Sequence, residues 1–120
     1  MNLLKDKVAL VTGGTSGIGY ATAKKMALEG AIVYACARRE KEFDEDNIIY
    51  HYLDVTDVNS CESLVQDIIR VHGKIDILIA DAGITSDSLT VKMTDEAFDK
   101  VISTNLKGTF NIVQKVEPYM

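Results

Sequence analysis

The chain has 120 residues, of which 47% are hydrophobic and 26% charged, and its 13 basic and 18 acidic side chains give a net charge of −5. This length fits one domain with a buried core, and the dispersed acidic balance excludes the basic stripe of a nucleic-acid-binding surface. The two cysteines have no metal or redox spacing, and no long apolar segment occurs. We therefore expect a cytoplasmic protein with reduced thiols, no metal site and no membrane span.

The first predicted strand, about residues 7–12, leads directly into the glycine-rich run Thr12-Gly13-Gly14-Thr15-Ser16-Gly17-Ile18-Gly19. A helix is predicted next, over about 17–29, and then a second strand over about 31–37. A glycine-rich turn between a strand and a helix presents backbone N–H groups to open space beside a helix N-terminus, which suits a pyrophosphate. We therefore predict a dinucleotide-binding turn rather than an ordinary structural one.

The rest of the chain continues the alternation of near-continuous aliphatic strands and amphipathic helices. We predict strands over about 48–53 and 75–80, and helices over about 57–71, about 94–105 and from about 107 to the end. Only about ten residues, 38–47, join the second and third strands, so we expect at most one helical turn there. The pattern is typical of a parallel sheet that is covered by helices on both faces.

Four motifs follow one another along the chain: Thr12-Gly13-x-x-x-Gly17-x-Gly19, Asp54-Val55 after the third strand, Ala82-Gly83 after the fourth, and Asn105 in Ser103-Thr104-Asn105. In these motifs the whole chain resembles the short-chain dehydrogenase/reductase family, and its segment 82–111 is similar to the 3-oxoacyl-[acyl-carrier-protein] reductases. The resemblance implies an α/β fold: a Rossmann-type doubly wound parallel sheet, incomplete, with strands in the order 3-2-1-4. It also implies one dinucleotide-binding domain over residues 1–120.

Particular roles follow from the resemblance. Asp54 would contact the adenine, and Asn105 would be the catalytic-tetrad asparagine, which positions a water behind the catalytic lysine. Asp81 stands where the family usually has an asparagine; it removes amide donors and adds a negative charge. The predicted cofactor-binding residues are Thr12, Gly13, Thr15, Ser16, Gly17, Ile18, Gly19, Arg38, Arg39, Asp54, Val55, Ala80, Asp81, Ala82 and Gly83.

The end of the second strand bears on the choice between NADP(H) and NAD(H). NAD-preferring enzymes place an acid there to accept from the ribose 2′-hydroxyl, whereas this chain has Ala37 followed by Arg38 and Arg39. A guanidinium can form two parallel hydrogen bonds with a 2′-phosphate, so we predict NADP(H) in preference to NAD(H). The alternative is a solvated arginine that pairs with Glu40 or Glu42.

In the family, the catalytic Ser lies on strand five and a Tyr-x-x-x-Lys pair on the helix after it, and we expect the chain to end before both. Tyr20 and Lys24 repeat the Tyr-x-x-x-Lys spacing, but they open the first helix, far from the nicotinamide, and we interpret them as surface residues. We therefore expect the inactive N-terminal part of an NADP(H)-dependent reductase of a 3-oxoacyl-thioester-like carbonyl.

The alternative function is a non-catalytic nucleotide-binding or interaction module. In both cases the fourth strand would be an uncovered sheet edge, so we predict a homo-oligomer or self-association through that edge. The resemblance further implies an acyl-carrier-protein-linked substrate for the full-length form.

Overall fold

The computed structural model describes residues 2–81 and 94–120, apart from the side chains of Ser103 and Thr104. Four parallel strands form one sheet in the order β3-β2-β1-β4, which confirms the predicted order. The strands begin and end within two residues of the predicted bounds. They are β1 (Val8–Thr12), β2 (Ile32–Ala37), β3 (Ile48–Tyr52) and β4 (Ile77–Ala80).

One helix follows β1, one follows β3 and two follow β4 along the chain, as the sequence pattern predicts. A π-helical turn, Ser103–Lys107, joins the third helix to the fourth, so the predicted helix over 94–105 is α-helical only as far as Ile102. A 3-10 turn, Glu117–Tyr119, follows the fourth helix, and the segment 38–47 contains no helix. The helices are α1 (Gly17–Leu28), α2 (Val58–His72), α3 (Asp95–Ile102) and α4 (Gly108–Val116).

Both faces of the central strands β1 and β2 are buried, which explains why these two strands are almost entirely apolar. Successive residues of a strand point to opposite faces. Val8 and Leu10 accordingly belong to one core, which includes residues of α2 and α4, and Ala9 and Val11 belong to another, which includes residues of α1. A fully buried leucine such as Leu10 contributes roughly 1.5–3 kcal/mol to the free energy of unfolding.

Local signals in the sequence set the limits of α2. The carboxylate of Asp57 caps the helix by accepting a hydrogen bond of 2.9 Å from the N–H of Asn59. Gly73 ends the helix in the left-handed conformation, with a φ of 75°, which costs glycine little because it has no Cβ. The buried side of α2 consists of Cys61, Leu64, Val65 and Ile68.

The carboxyl ends of the four strands lie at one edge of the sheet. Thr12 is paired with Cys36 on one side and with Ala80 on the other, and Ala37 is paired with Tyr52. From β1 the chain adds β2 and then β3 on one side of β1. It then returns and adds β4 on the other side of β1. Ligands of doubly wound sheets bind where the strand order reverses in this way, so we expect a ligand-binding site at this edge.

Candidate functional site

The turn between β1 and α1 depends on glycine. Gly13 and Gly17 have φ values of 68° and 56°, which L side chains rarely adopt. A Cβ on Gly14 would lie 2.9 Å from the Cα of Ala35, and a Cβ on Gly19 would overlap the carbonyl oxygen of Gly13. The turn therefore brings β1, β2 and the first turn of α1 into close contact.

The backbone amides of this turn fall into two groups. Those of Gly13 and Gly14 donate to the carbonyl oxygen of Cys36, at 2.8 and 3.3 Å, so they tie the turn to β2. The expectation that they face open space is therefore wrong for these two amides. Those of Gly17, Ile18 and Gly19 begin α1 and reach no hydrogen-bond acceptor within residues 2–81 and 94–120. Three open donors at the positive end of a helix dipole form a good environment for an anion.

The outer side of the turn is open. A Cβ on Gly17 would meet no atom of residues 2–81 and 94–120 within 4 Å, and Ile18 is 76% exposed. Ser16 is exposed too, and its side chain makes no capping hydrogen bond to α1. Thr15 is half-buried beside it. The open amides of Gly17 and Ile18 are thus accessible to a ligand, whereas Gly19 is buried.

Charged side chains follow β2 and β3 at the same edge. Arg38 and Arg39 are exposed, and in the described parts of the chain no ion pair joins either of them to Glu40 or Glu42. The alternative interpretation, in which a solvated arginine pairs with one of these two acids, therefore has no support in these residues. Both guanidinium groups therefore remain available at the site.

Asp54 lies near Arg38. One of its carboxylate oxygens accepts hydrogen bonds from the N–H of Thr56 at 3.0 Å and from its hydroxyl at 2.6 Å. These bonds are the main cause that lowers the pKa of Asp54, and the charge of Arg38 adds to them. Asp54 is therefore an ionised carboxylate that is held in a fixed orientation.

Val55, the next residue, is buried against the start of α4. A Cβ on Gly108 would lie only 2.5 Å from its Cγ2 atom. The side-chain amide of Asn111 donates to the carbonyl oxygen of Val55 at 3.0 Å. The segment after β3 is thus positioned by α4, and only glycine at 108 permits this approach.

Ala80 and Asp81 lie at the exposed end of β4. The N–H of Asp81 donates to the hydroxyl and the carbonyl oxygen of Thr12, at 3.0 and 3.3 Å, which joins β4 to the start of the glycine turn. The carboxylate oxygen Oδ2 of Asp81 would be 3.0 Å from a Cβ on Gly19. The predicted residues Ala82 and Gly83 lie outside the described residues.

Asn105 is exposed in the π-helical turn 103–107, and its carbonyl oxygen accepts a hydrogen bond of 2.9 Å from the hydroxyl of Thr109. Single π turns occur frequently at functional sites. A groove of about 560 Å³ extends from Asn105 along one face of α4. Leu106 and Phe110 line it and are 66% and 62% exposed.

A cluster beside the turn was not anticipated from the sequence. The rings of Tyr20 and Phe43 stack with their centroids 5.7 Å apart, and the Nζ atom of Lys41 lies 3.8 Å from the ring centroid of Tyr20. Tyr20 is thus half-buried, whereas Lys24 is exposed as predicted. A signal existed, because Phe43 is the only apolar residue in the charged run 38–47.

The histidines have structural partners that the sequence spacing did not indicate. The Nε2 atom of His51 lies 2.8 Å from a carboxylate oxygen of Asp67, and the Nε2 atom of His72 lies 2.7 Å from the hydroxyl of Tyr34. In residues 2–81 and 94–120 no three His, Cys, Asp or Glu side chains are arranged to hold a metal ion.

Two further features of the described residues bear on function: the environment of the two cysteines, and the length and apolar character of the helices. Cys36 and Cys61 are free and buried, and burial raises the pKa of both thiols, that of Cys61 to about 11. Neither is therefore a reactive thiolate. None of the helices in the described ranges combines the length and the apolar character that crossing a membrane requires.

Comparison with known proteins gives consistent matches. The family model described as short chain dehydrogenase matches residues 7–120. A 3-oxoacyl-[acyl-carrier-protein] reductase of Thermotoga maritima is 40% identical over 126 aligned positions, covering 98% of this chain and 51% of that protein. A putative ketoacyl reductase of the monensin polyketide synthase of Streptomyces virginiae is also 40% identical, covering 92% of this chain and 46% of that protein.

The fold has close structural counterparts as well. The ligand-free aldohexose dehydrogenase of Thermoplasma acidophilum superposes with a TM-score of 0.91 at 29% identity, covering 99% of this chain and 46% of that one. The chain spans about half the length of the curated relatives it matches.

Proposed function

The chain belongs to the short-chain dehydrogenase family, and on this basis we propose that it is the NADP(H)-binding part of an oxidoreductase that acts on a carbonyl substrate. The observation that carries the proposal is the first turn of α1. Its three amide N–H groups, those of Gly17, Ile18 and Gly19, have no acceptor within the described residues. They lie beside a turn that is open to solvent and fit the pyrophosphate of a dinucleotide.

The remaining predicted residues take roles around this anchor. Arg38 and Arg39 would bind the 2′-phosphate, and Asp54 and Val55 would lie at the adenine. NADP(H) is favoured because Ala37 stands where an NAD-preferring enzyme places an acid, and because both guanidinium groups are exposed. Thr12 and Thr15, with the segment 80–83, would line the cofactor toward its nicotinamide end. The bound cofactor would supply the hydride.

The substrate proposal rests on the relatives. Those named as 3-oxoacyl-[acyl-carrier-protein] reductases favour a 3-oxoacyl thioester, with an acyl-carrier-protein-linked form for the full-length enzyme. Asn105 would be the tetrad residue that this chain contributes. The family's Ser, Tyr and Lys would belong to the half of the relatives that the 120 residues do not span. We accordingly expect these residues alone to leave a ketone unreduced.

The proposal also includes assembly. β4 pairs with β1 and, within the described residues, with no other strand, and unpaired strand edges favour association. The groove on α4 adds exposed apolar side chains, among them Leu106 and Phe110. We propose that copies of the chain associate through these surfaces. A cytoplasmic location completes the proposal and is supported by two buried free cysteines.

A calorimetric titration of the 120-residue chain with NADPH and with NADH tests the proposed cofactor. We expect tighter binding of NADPH, and an Arg38→Gln variant that loses about tenfold of that affinity, which corresponds to about 1.4 kcal/mol. Arg70→Gln is the matched control, because Arg70 is an exposed arginine on α2. Equal affinities for NADPH and NADH would contradict the proposed preference.

An activity measurement tests the proposed inactivity of the 120 residues alone. The purified chain is mixed with NADPH and a 3-oxoacyl thioester, and NADPH oxidation is followed by absorbance. We expect no turnover above the rate without protein. Turnover by the chain alone would contradict its proposed inactivity and remove the non-catalytic alternative at the same time.

A further inference from the structure

We propose that Lys41, held over the ring of Tyr20, is a positioning residue that fixes the segment 38–47 beside the glycine turn and thereby sets the selectivity for a 2′-phosphate. This inference rests on the proposed function, because it concerns how an NADP(H) site distinguishes its ligand from NAD(H). It assigns a role to a cluster that lies outside the family motifs of the sequence.

The segment 38–47 has few internal restraints, since it forms neither helix nor strand. Its far end is held by Asn47, whose side-chain amide donates to the carbonyl oxygens of Ala27 and Ala31, both at 2.8 Å. Its middle is held by Phe43, which stacks on Tyr20 and packs against the core beside α1. The half that carries the arginines thus lies between β2 and this aromatic contact.

Lys41 lies over the stacked rings of Tyr20 and Phe43. Its Nζ atom lies 3.8 Å from the ring centroid of Tyr20 and 6.0 Å from that of Phe43. Glu40 and Glu42 flank it in sequence, yet in the described part of the chain no carboxylate forms an ion pair with it. An aromatic face attracts an ammonium group without neutralising its charge, so the segment is anchored while Lys41 keeps its own positive charge.

The anchor lies on the helix that would bind the pyrophosphate. Tyr20 directly follows Gly19 in the first turn of α1, so its ring and the open amides are held by the same helical turn. Lys41 is only three residues from Arg38 in sequence. Fixing the segment on Tyr20 therefore limits where both arginines can lie relative to the pyrophosphate, and such preorganisation increases affinity.

The gain in affinity from this preorganisation applies only to a ligand that contacts the arginines. NADH lacks the 2′-phosphate and obtains little from their position, whereas NADPH would lose affinity if the segment were released. A variant without the anchor should therefore lower the NADPH affinity selectively. A residue with a merely structural role would affect the two nucleotides alike.

The experiment compares four single variants and one double variant of the full 120-residue chain. Lys41→Met removes the charge and keeps the length of the side chain, and Tyr20→Leu removes the ring. Lys41→Arg and Tyr20→Phe are the conservative controls that preserve the cation and the ring. Each protein is titrated with NADPH and with NADH, and amide hydrogen exchange of residues 38–46 is measured without nucleotide.

We expect Lys41→Met and Tyr20→Leu to weaken NADPH binding by about fivefold, which corresponds to about 1 kcal/mol, and to leave NADH binding unchanged. Both should accelerate exchange in the segment 38–46. Lys41→Arg and Tyr20→Phe should match the original chain in every measurement. Because the two residues act on each other, the Lys41→Met/Tyr20→Leu double variant should lose no more affinity than either single one.

Two results would overturn the inference alone: an undiminished NADPH preference in Lys41→Met, or an equal loss for both nucleotides. Lys41 lies on an exposed segment, so this variant carries the test if Tyr20→Leu fails to fold. An original chain that does not prefer NADPH would instead contradict the proposed function, and the inference with it. The exchange measurement separates the cases, because it reports on the anchor without any nucleotide.

Discussion

The carboxylate of Asp81 lies against the backbone of Gly19, with its Oδ2 atom 3.0 Å from where a Cβ on that glycine would stand. This places an acidic side chain beside the first turn of α1, next to the amides that have no acceptor in the described residues. A negative charge stabilises a helix N-terminus. The same charge would repel the pyrophosphate that we propose for this position.

Replacing Asp81 by asparagine should therefore tighten nucleotide binding. We expect Asp81→Asn to increase the NADPH affinity about two- to fivefold at low ionic strength, since charge effects at a helix terminus amount to about 0.3–1 kcal/mol. The gain should shrink at about 0.5 M salt because of screening. Asp46→Asn is the control, because Asp46 precedes β3 at the opposite edge of the sheet. Unchanged or weaker binding by Asp81→Asn would contradict the repulsion.

A second prediction concerns acid stability and Asp76. Its carboxylate oxygen Oδ2 accepts a hydrogen bond of 2.8 Å from the N–H of Val8 and lies 3.0 Å from the Nζ atom of Lys74. The bond from Val8 is the main cause that lowers the pKa of Asp76 below its ordinary value of 3.8, and Lys74 adds to it. The folded state therefore binds a proton at this group less readily than the unfolded state.

Because the pKa of Asp76 is lowered by folding, its contribution is complete above pH 3.8 and is lost as the pH falls through the lowered value. We expect the free energy of unfolding to decrease as the pH falls below about 4. Asp76→Asn should cost about 1 kcal/mol at neutral pH and flatten this decrease. Urea titrations at several pH values measure both effects. The exposed residue Asp44 provides the control variant Asp44→Asn, and an unchanged slope in Asp76→Asn would contradict the assignment.

A third prediction tests the contact that positions α4. Alanine normally stabilises a helix over glycine by about 1 kcal/mol, but a Cβ on Gly108 would lie 2.5 Å from the Cγ2 atom of Val55. We expect Gly108→Ala to lower the free energy of unfolding, since overpacking costs about 1–3 kcal/mol. In a Val55→Ala background the same substitution should be neutral or stabilising. Additive effects in this double-mutant cycle would show that the two residues do not compete for space.

A fourth prediction concerns self-association. Sedimentation velocity should show concentration-dependent association of the chain, which Phe110→Glu should weaken by placing a charge in the groove on α4. Val71→Glu is the matched control, because Val71 is 69% exposed on α2 while Phe110 is 62% exposed. A chain that stays monomeric at high concentration would contradict the proposed assembly.

The sheet could be predicted from the sequence because its signals are local. Aliphatic residues on both faces of β1 and the glycine turn after it each reveal themselves within a few neighbouring positions. The order of the strands followed from the family motifs. The bounds of the elements differ from the predicted ones only at strand and helix ends, where pairing and hydrogen bonding in the folded chain decide.

The features that escaped prediction depend on residues far apart in the chain. Lys41 lies over Tyr20, and His51 pairs with Asp67, across 21 and 16 positions. No periodicity connects such pairs. The sequence also could not separate the amides of the turn that bond within the protein from those that stay open. Only the folded chain shows that the N–H of Gly13 donates to the carbonyl oxygen of Cys36.

Two glycines allow the most direct test of the central claim that the first turn of α1 binds a dinucleotide. Gly17 and Gly73 both have a positive φ, 56° and 75°, and a Cβ on either would meet no atom of the described residues within 4 Å. Gly17→Ala and Gly73→Ala should thus cost a similar amount of stability, about 1 kcal/mol each. Only Gly17 lies at the turn, whereas Gly73 ends α2.

The measurement is a calorimetric titration of the original chain and both variants with NADPH. We predict saturable binding by the original chain and by Gly73→Ala, and a loss of at least about tenfold in Gly17→Ala, equivalent to about 1.4 kcal/mol. No saturable binding by the folded original chain, or equal binding by all three proteins, would contradict it.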